Sequence, residues 1–230
     1  MAERSVVVTG GTGGLGGAVV ASFVDAGWRV VVPRRAARPG SEPAADGLVQ
    51  VIADLTDPAG AARVVEAAVG DPAAPLRAVV NLVGGYASGG LVHETPVEEF
   101  ERMLTVNLRP TYLVTQAALP HLVAAGGGAV VCVSARAALT PFAGAAGYIT
   151  AKAAVLAFAN AVAVEYRSRN VRCNTVLPSV IDTPANRATQ PDADHSRWVT
   201  PAEIAPVIRF LASTESAPTT GASVPVYGRA

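Results

Sequence analysis

The stretch TGGTGGLGGAV at residues 9–19 decides the fold, because a glycine-rich turn here follows a valine-rich run and precedes a helical pattern. Gly10, Gly14 and Gly16 let the backbone turn sharply, approach a pyrophosphate closely and pack the next helix against a sheet. Free N–H groups at the start of that helix point toward the phosphates. The stretch predicts a dinucleotide-binding turn, although similar turns also occur in proteins that bind no dinucleotide.

Short valine-rich runs alternate with segments of helical period, which is typical of a parallel sheet with helices on both faces. Seven strands are predicted, at residues 5–9, 29–33, 48–53, 76–83, 128–134, 171–177 and 222–227. Six helices are predicted, at residues 14–26, 57–69, 96–106, 108–125, 147–168 and 201–213. We therefore predict a single α/β domain over residues 1–230, a doubly wound Rossmann fold with a seven-stranded parallel sheet. The polar connection at about 178–200 is long enough to predict a substrate loop.

The composition argues against several classes of partner. Eighteen acidic residues balance 18 basic ones, with no run of like charge that could follow a nucleic acid or an anionic membrane. Cys132 and Cys173 lie in apolar strand-like runs, so we expect buried thiols in a reducing compartment rather than a disulfide or a metal site. The first residues show no signal peptide, and the apolar helical run at 153–164 is too short to span a bilayer. We expect a cytoplasmic protein without metal, membrane or nucleic acid.

The residues after the second predicted strand indicate which dinucleotide binds. A carboxylate at this point binds the adenosine ribose of NAD, whereas an arginine accepts the 2′-phosphate of NADP. The chain has Pro33, Arg34 and Arg35 here, and no acidic residue before Glu42. We predict NADPH (NADP+) as the preferred cofactor, with NADH possible; the alternative is that both arginines are solvated surface charges.

Lys152 is the only lysine of the chain, and it follows Tyr148 by four residues in GYITAK. On a helix the two side chains share a face. A nearby cation lowers the pKa of a tyrosine, whose ordinary value is about 10, and a compact ammonium fits where a guanidinium does not. We predict that Lys152 lowers the pKa of Tyr148 by about two to three units; the alternative is that the single lysine arose by chance.

Two further polar residues suit the same chemistry. Ser134 ends the fifth predicted strand, at the edge where open α/β sheets bind ligands, and its hydroxyl could donate to a substrate carbonyl oxygen. Asn107 falls between two predicted helices, where its amide could hold a water in a proton relay. A helix cap is the alternative interpretation of Asn107.

Together these residues resemble the short-chain dehydrogenase/reductase family over essentially the whole chain. The features are TGGTGGLG, Asp54-Leu55 after the third strand, Asn81 ending the fourth, Asn107, Ser134, Tyr148-x-x-x-Lys152 and Pro178 after the sixth. The resemblance implies that Tyr148 is the general acid or base and that Lys152 also holds the nicotinamide ribose. By the same resemblance Ser134 orients the substrate and Asn107 maintains the proton relay.

The resemblance also implies a set of cofactor contacts. These are Gly10, Thr12, Gly14, Leu15, Gly16, Arg34, Arg35, Asp54, Leu55, Asn81, Val83, Tyr148, Lys152, Pro178, Val180 and Thr183. Two family motifs differ here: NLVGGYASGG replaces the usual Asn-Ala-Gly, and Pro178-Ser179 replaces Pro-Gly. Neither change removes a catalytic group, but both reshape the floor of the pocket.

Within the family, VGGYASGG, SARAALTPFAGAAGYITAK and VLPSVIDTPANRATQPDADHSRWVTPAEI look like the branch that contains dihydropteridine reductase. This resemblance implies a pocket that accepts a flat ring. Arg34 and Ser134 argue against identity with the branch's eponymous enzyme, which favours NADH and lacks the serine.

Five residues are candidates for contact with the substrate: Tyr86, Arg136, Asn186, Arg187 and Trp198. Tyr86 could stack on a planar substrate, or be a half-buried loop tyrosine. Asn186 and Arg187 could bind a phosphate or a carboxylate, or cap a helix and carry surface charge. Trp198 belongs to the predicted substrate loop, with a lid and surface packing as alternatives.

The expected function is that of an NAD(P)-dependent oxidoreductase, a ketoreductase with Tyr148 as general acid. Reduction of a ring C=N or a quinonoid substrate is the alternative within the family. A dinucleotide sensor without turnover, or a non-catalytic subunit, is the alternative from another class. Since the family commonly forms dimers or tetramers through its fourth and fifth crossover helices, a homo-oligomer is expected.

Overall fold

The chain folds into one parallel sheet with helices on both faces, as the alternating pattern predicts. A computed structural model describes residues 2–35 and 46–229, and Glu42 lies outside the described residues. The strands are β1 (Ser5–Thr9), β2 (Arg29–Arg34), β3 (Leu48–Ile52), β4 (Leu76–Asn81), β5 (Gly128–Val133), β6 (Val171–Pro178) and β7 (Ser223–Val226). The α-helices are α1 (Gly16–Asp25), α2 (Pro58–Val69), α3 (Val97–Asn107), α4 (Arg109–Ala124), α5 (Ala146–Glu165), α6 (Pro184–Thr189) and α7 (Pro201–Ala212).

The strand order places the carboxyl ends of the central strands around one crevice. The sheet has seven strands in the order β3-β2-β1-β4-β5-β6-β7, and every pair is parallel. The order reverses between β1 and β4, and ligands of doubly wound sheets bind outside the carboxyl ends of strands at such a reversal. The predicted Rossmann fold is confirmed.

Alternate residues of each central strand pack into two hydrophobic cores, one on each face of the sheet. Val7, Val79 and Val130 pack in one core with residues of α2, α4 and α5. Val6 and Val80 pack in the other core with residues of α1 and α7. Each fully buried valine contributes about 1.5 kcal/mol or more to folding. The near-continuous valine runs follow from this burial on both sides.

The predicted substrate loop contains more regular structure than its composition suggests. Helix α6 lies within it, and Thr183 caps this helix by accepting a hydrogen bond from the N–H of Asn186 at 3.2 Å. Ile181 forms an isolated parallel bridge with Val199 farther along the segment. The signal for α6 was present in the sequence, because Thr183 followed by Pro184 is a usual start of a helix.

Helix α5 is longer than the apolar run at 153–164, from which the sequence predicted that no helix spans a membrane. It has 20 residues with a mean hydropathy of 1.5 over its most apolar window, so by length and composition it could cross a membrane. Core helices of water-soluble proteins pass the same test. In this structure α5 packs against α3 and β6, and Val155, Ala159 and Val162 lie in the core.

The glycine turn is built by close backbone contacts. Gly10 has a φ of +68°, and a Cβ there would lie 3.1 Å from the backbone N of Val83. A Cβ on Gly16 would lie 2.1 Å from the carbonyl oxygen of Gly10, closer than a carbon can approach a non-bonded oxygen. Gly17, the next residue of α1, has nothing within 4 Å of the same position. The turn therefore requires glycine at residue 16 and tolerates a side chain at residue 17.

Gly16→Ala and Gly17→Ala form a matched pair that tests this turn. Gly16→Ala is expected to weaken NADPH binding at least about tenfold and to lower thermal stability, because the backbone of the turn must move. Gly17→Ala is expected to leave binding within about twofold and to stabilise α1 by about 0.5–1 kcal/mol. Calorimetric titration with NADPH and thermal unfolding measure both effects. Equal affinities for the two variants would contradict the geometry.

Candidate active site

Tyr148 and Lys152 lie one turn apart near the start of α5, as predicted. The Lys152 Nζ is 6.0 Å from the centroid of the Tyr148 ring. Lys152 is only 7% exposed, and its Nζ donates a hydrogen bond to the carbonyl oxygen of Val133, the last residue of β5, at 3.2 Å. The ammonium thus fixes α5 to the carboxyl end of a central strand and brings the Tyr148 ring to the crevice.

Burial shifts the pKa values of both groups. Burial, followed by the neighbouring Tyr86, raises the pKa of Tyr148 to about 12. Burial lowers the pKa of Lys152 to about 8. The lowering of the Tyr148 pKa that the sequence predicted is therefore not found in this structure, because burial disfavours the charged phenolate. Tyr148 holds its proton at neutral pH and is equipped to donate it.

The Ser134 hydroxyl donates a hydrogen bond to another group of the protein. Ser134 is 3% exposed, and its Oγ donates to the carbonyl oxygen of Lys152 at 2.7 Å. A hydroxyl has one proton to donate, so this contact competes with the donation to a substrate that the sequence suggested. The Ser134 hydrogen bond instead links the end of β5 to α5, in addition to the hydrogen bond from Lys152 to Val133.

The Asn107 side chain is also fully engaged with the backbone. Its Nδ2 donates to the carbonyl oxygens of Gly85 and Met103 at 3.0 and 2.9 Å, and its Oδ1 accepts the N–H of Gly85 at 3.1 Å. Both amide protons are therefore used by backbone carbonyl oxygens. Its observed contacts fix the loop after β4.

Gly84 was missed by the sequence analysis, although it lies between the predicted catalytic residues. A Cβ on Gly84 would lie 2.6 Å from Oδ1 of Asn107 and 3.0 Å from Nζ of Lys152. The glycine therefore allows both side chains to approach the loop after β4. The signal was the glycine pair in NLVGG, whose spacing alone does not tell which neighbours it admits.

The residues predicted to bind the adenosine end lie together at the ends of β2 and β3. Arg34 donates from Nη1 to Oε1 of Gln50, and Arg35 is exposed at the end of β2. Asp54 accepts the N–H and the hydroxyl of Thr56 at 2.9 and 2.8 Å, which lowers the pKa of the Asp54 carboxyl. Leu55, next to it, is buried.

The end of β4 is arranged differently from the prediction. The strand ends at Asn81, because the hydroxyl of Thr9 accepts the N–H groups of Leu82 and Val83 at 3.1 and 3.4 Å. Asn81 is 2% exposed and its Nδ2 donates to the hydroxyl of Thr115 at 3.0 Å. Asn81 therefore supports the crevice from below, while Val83 is half-buried in the loop.

The glycine turn and the substrate loop touch each other. Thr12 is exposed and Leu15 half-buried in the turn, while Pro178 is buried at the end of β6 with Val180 two residues on. A Cβ on Gly14 would lie 2.7 Å from Cγ2 of Thr183. The predicted cofactor residues on both segments are thus neighbours in space.

Two of the predicted substrate residues have aromatic contacts. Tyr86 is 60% exposed, and its ring meets the ring of Tyr148 edge to face, with centroids 5.0 Å apart and an interplanar angle of 80°. Arg136 follows Ser134 by two residues, and its guanidinium lies 5.0 Å from the ring centroid of Tyr227.

The other three are engaged within the substrate loop itself. Asn186 donates from Nδ2 to the carbonyl oxygen of Ile181 at 2.8 Å. Arg187 forms a two-pronged ion pair with Asp182 at 2.5 and 2.8 Å. Trp198 is 9% exposed and packs against His195 with ring centroids 4.4 Å apart. These contacts agree with the packing and capping alternatives, and they organise the loop. Within the described residues, no cluster of His, Cys, Asp and Glu could hold a metal ion.

Comparison with known proteins identifies what the chain is similar to. Residues 4–194 match the family model described as short chain dehydrogenase. The 2-(R)-hydroxypropyl-CoM dehydrogenase of Xanthobacter autotrophicus is 32% identical over 245 residues, covering 98% of each protein. The 3-oxoacyl-(acyl-carrier-protein) reductase MabA of Mycobacterium tuberculosis is 32% identical over 234 residues, covering 98% of this chain and 92% of MabA.

A solved structure extends the comparison to three dimensions. The 3-ketoacyl-(acyl-carrier-protein) reductase from Brucella melitensis, complexed with NADH, superposes with a TM-score of 0.87 at 26% identity. The match covers 99% of this chain and 98% of the other. The fold is therefore shared along almost the whole length of both chains.

Lys152→Met is expected to raise the free energy of unfolding near pH 7, because it removes a buried charge and keeps the apolar stem. A fall in the pKa of Lys152 from 10.5 to about 8 corresponds to about 3 kcal/mol, from which about 1 kcal/mol is offset by the lost hydrogen bond. The folded state binds this proton more weakly than the unfolded state. The cost is thus complete below pH 8 and disappears as the pH rises to 10.5.

Urea unfolding of the wild type and of Lys152→Met, at about pH 7 and about pH 10, measures the difference. The wild type should gain stability relative to the variant as the pH rises. A difference that stays constant across this range would contradict the burial of a charged ammonium.

Proposed function

This chain belongs to the short-chain dehydrogenase family, the NAD(P)-dependent oxidoreductases that act on CH–OH and C=O groups, and we propose that it reduces a ketone with NADPH. Tyr148 is the general acid of this proposal. The observation that carries it is the position of the half-buried Tyr148 phenol, one helical turn from a Lys152 whose Nζ is held by the carboxyl end of β5.

The residues of the crevice fit a nicotinamide dinucleotide. At Gly16 the backbone of the glycine turn packs too closely for any larger residue, and α1 begins at this glycine. A nicotinamide dinucleotide held there would supply the hydride for a carbonyl carbon. Tyr148 donates its phenolic proton to the carbonyl oxygen, and the hydrogen bond from Lys152 to Val133 holds α5, and with it the phenol, at the end of β5. Asn107 acts through the backbone of Gly85 by holding the loop against the site.

The preference for NADPH rests on the two arginines at the end of β2. Arg34 and Arg35 provide positive charge where the 2′-phosphate would lie, and Arg34 is held by Gln50. Asp54 lies across from them, but its carboxylate is satisfied by Thr56. The charge balance at this edge therefore favours a phosphate over a free ribose hydroxyl.

The class of substrate is proposed from the site and from the names of relatives. MabA and the Brucella melitensis protein are named as reductases of 3-oxoacyl groups, which carry a ketone. A flat ring with a C=N or quinonoid group is the second candidate, because the exposed ring of Tyr86 stands beside Tyr148 and offers an aromatic face. A ketone remains the first choice, since the relatives act on this group.

A homo-oligomer is proposed from an apolar groove on the helices. The groove is lined by Leu104, Leu108, Tyr112, Ala154 and Phe158, with Thr105 and Arg109 at its edge. Tyr112 is 46% exposed although it is aromatic, which suits a surface that a second copy covers. Light scattering of the purified protein should give a molar mass of two or four chains. A monomer at about 10 µM would contradict the proposal.

The proposed reaction is tested by the loss of NADPH absorbance with a panel of aliphatic and aromatic ketones, a β-ketoester, a quinone and a quinonoid dihydropterin. At least one ketone should be reduced, and NADPH should bind at least about tenfold more tightly than NADH. Tyr148→Phe should lower kcat at least about 100-fold and leave NADPH affinity within a few fold.

Three results would count against parts of the proposal. Turnover of the pterin or the quinone alone would select the flat-ring substrate. Equal affinity for NADPH and NADH would contradict the role of Arg34 and Arg35. Tight NADPH binding without turnover of any compound would contradict the enzyme and favour a dinucleotide sensor.

A further inference from the structure

The proposed reaction lacks a second hydrogen-bond donor to the substrate oxygen. A carbonyl oxygen that gains negative charge is stabilised by two donors better than by one, as in sites that bind an oxyanion. Ser134 was the expected second donor, but its proton is committed to the carbonyl oxygen of Lys152 at 2.7 Å. Ala135, which follows it, has no polar side-chain atom.

Tyr86 places a second phenol ring beside the ring of Tyr148. The two rings meet edge to face with centroids 5.0 Å apart, and Tyr86 is 60% exposed at the crevice. Tyr86 also contributes to the raised pKa of Tyr148. Its phenol has no hydrogen-bond partner among the described residues, so its proton is available to a ligand.

The loop that carries Tyr86 is fixed on both sides. Before the tyrosine, Gly85 exchanges two hydrogen bonds with the Asn107 side chain at 3.1 and 3.0 Å. After it, the N–H of Gly89 donates to the carbonyl oxygen of Gly144 at 2.8 Å, close to the start of α5. These anchors tie the position of Tyr86 to the helix that carries Tyr148, which an incidental surface tyrosine does not require.

We propose that Tyr86 donates the second hydrogen bond to the substrate carbonyl oxygen, in the role expected of Ser134. This inference rests on the proposed ketone reduction. In the step, the hydride forms the new C–H bond, the C=O π electrons pass to oxygen, and the proton of Tyr148 forms the O–H bond. Tyr86 keeps its proton and stabilises the charge that develops on the oxygen.

The alternative is that Tyr86 acts only as an apolar wall. Tyr86→Phe separates the two roles, because it removes the hydroxyl and keeps the ring that packs on Tyr148. A donor to a developing oxyanion contributes about 100-fold to kcat when fully buried, so about 10- to 100-fold is expected at this half-open position. If Tyr86 acts only as an apolar wall, Tyr86→Phe should leave kcat unchanged.

Steady-state kinetics with the best ketone of the panel compare the wild type, Tyr86→Phe and Tyr166→Phe. Tyr166 lies just after α5 and packs against the core, so its variant controls for the loss of one phenol. Tyr86→Phe should lower kcat by about 10- to 100-fold, with NADPH affinity and melting temperature unchanged. The pH profile of kcat should also shift its alkaline limb to lower pH, because the neighbour that raises the pKa of Tyr148 is weakened.

Three results would overturn the inference, and they differ in whether the proposed reaction survives. Wild-type turnover with kcat unchanged in Tyr86→Phe would overturn the role of Tyr86 and leave the proposed reaction intact. An increase in KM alone would have the same meaning, since it assigns Tyr86 to binding only. A wild type that reduces no carbonyl compound would contradict the proposed function, and the inference with it.

Discussion

The site depends on a reciprocal pair of contacts between the end of β5 and α5. The Lys152 ammonium donates to the carbonyl oxygen of Val133, and the Ser134 hydroxyl donates to the carbonyl oxygen of Lys152. Each partner lies within the fold, where an unmade hydrogen bond costs more than a made one contributes. The two contacts together determine how far α5 stands from the sheet, and so where the phenol of Tyr148 lies.

The loop after β4 packs against the same pair of elements, because its Gly84 lies close to the side chains of Asn107 and Lys152. Thr9 ends the strand by accepting two N–H groups, Gly84 leaves room for two polar side chains, and Asn107 holds Gly85. These residues belong to β1, the loop and α3, far apart in the chain. The crevice is therefore a product of the sheet order, which brings the ends of β1, β4 and β5 side by side.

The fold and the pairing of Tyr148 with Lys152 could be predicted from the sequence, because both depend on local spacing. Glycine positions, valine alternation and a four-residue interval on a helix retain their meaning without knowledge of neighbours. The direction of the Ser134 hydroxyl and the partners of Asn107 could not be predicted, because they depend on how strands and helices distant in sequence pack. The raised pKa of Tyr148 could not be predicted for the same reason, since it follows from burial in the folded chain and from the neighbouring Tyr86.

The contact between Arg136 and Tyr227 links the crevice to the strand that is synthesised after all the others. Arg136 lies two residues after Ser134, whereas Tyr227 follows β7, the edge strand that pairs only with β6. Strands β1, β4 and β5 can associate while the chain is still growing, but β6 gains its outer neighbour only when residues 223–226 have been made. The surroundings of Arg136 therefore depend on the pairing of β7 with β6 at the edge of the sheet.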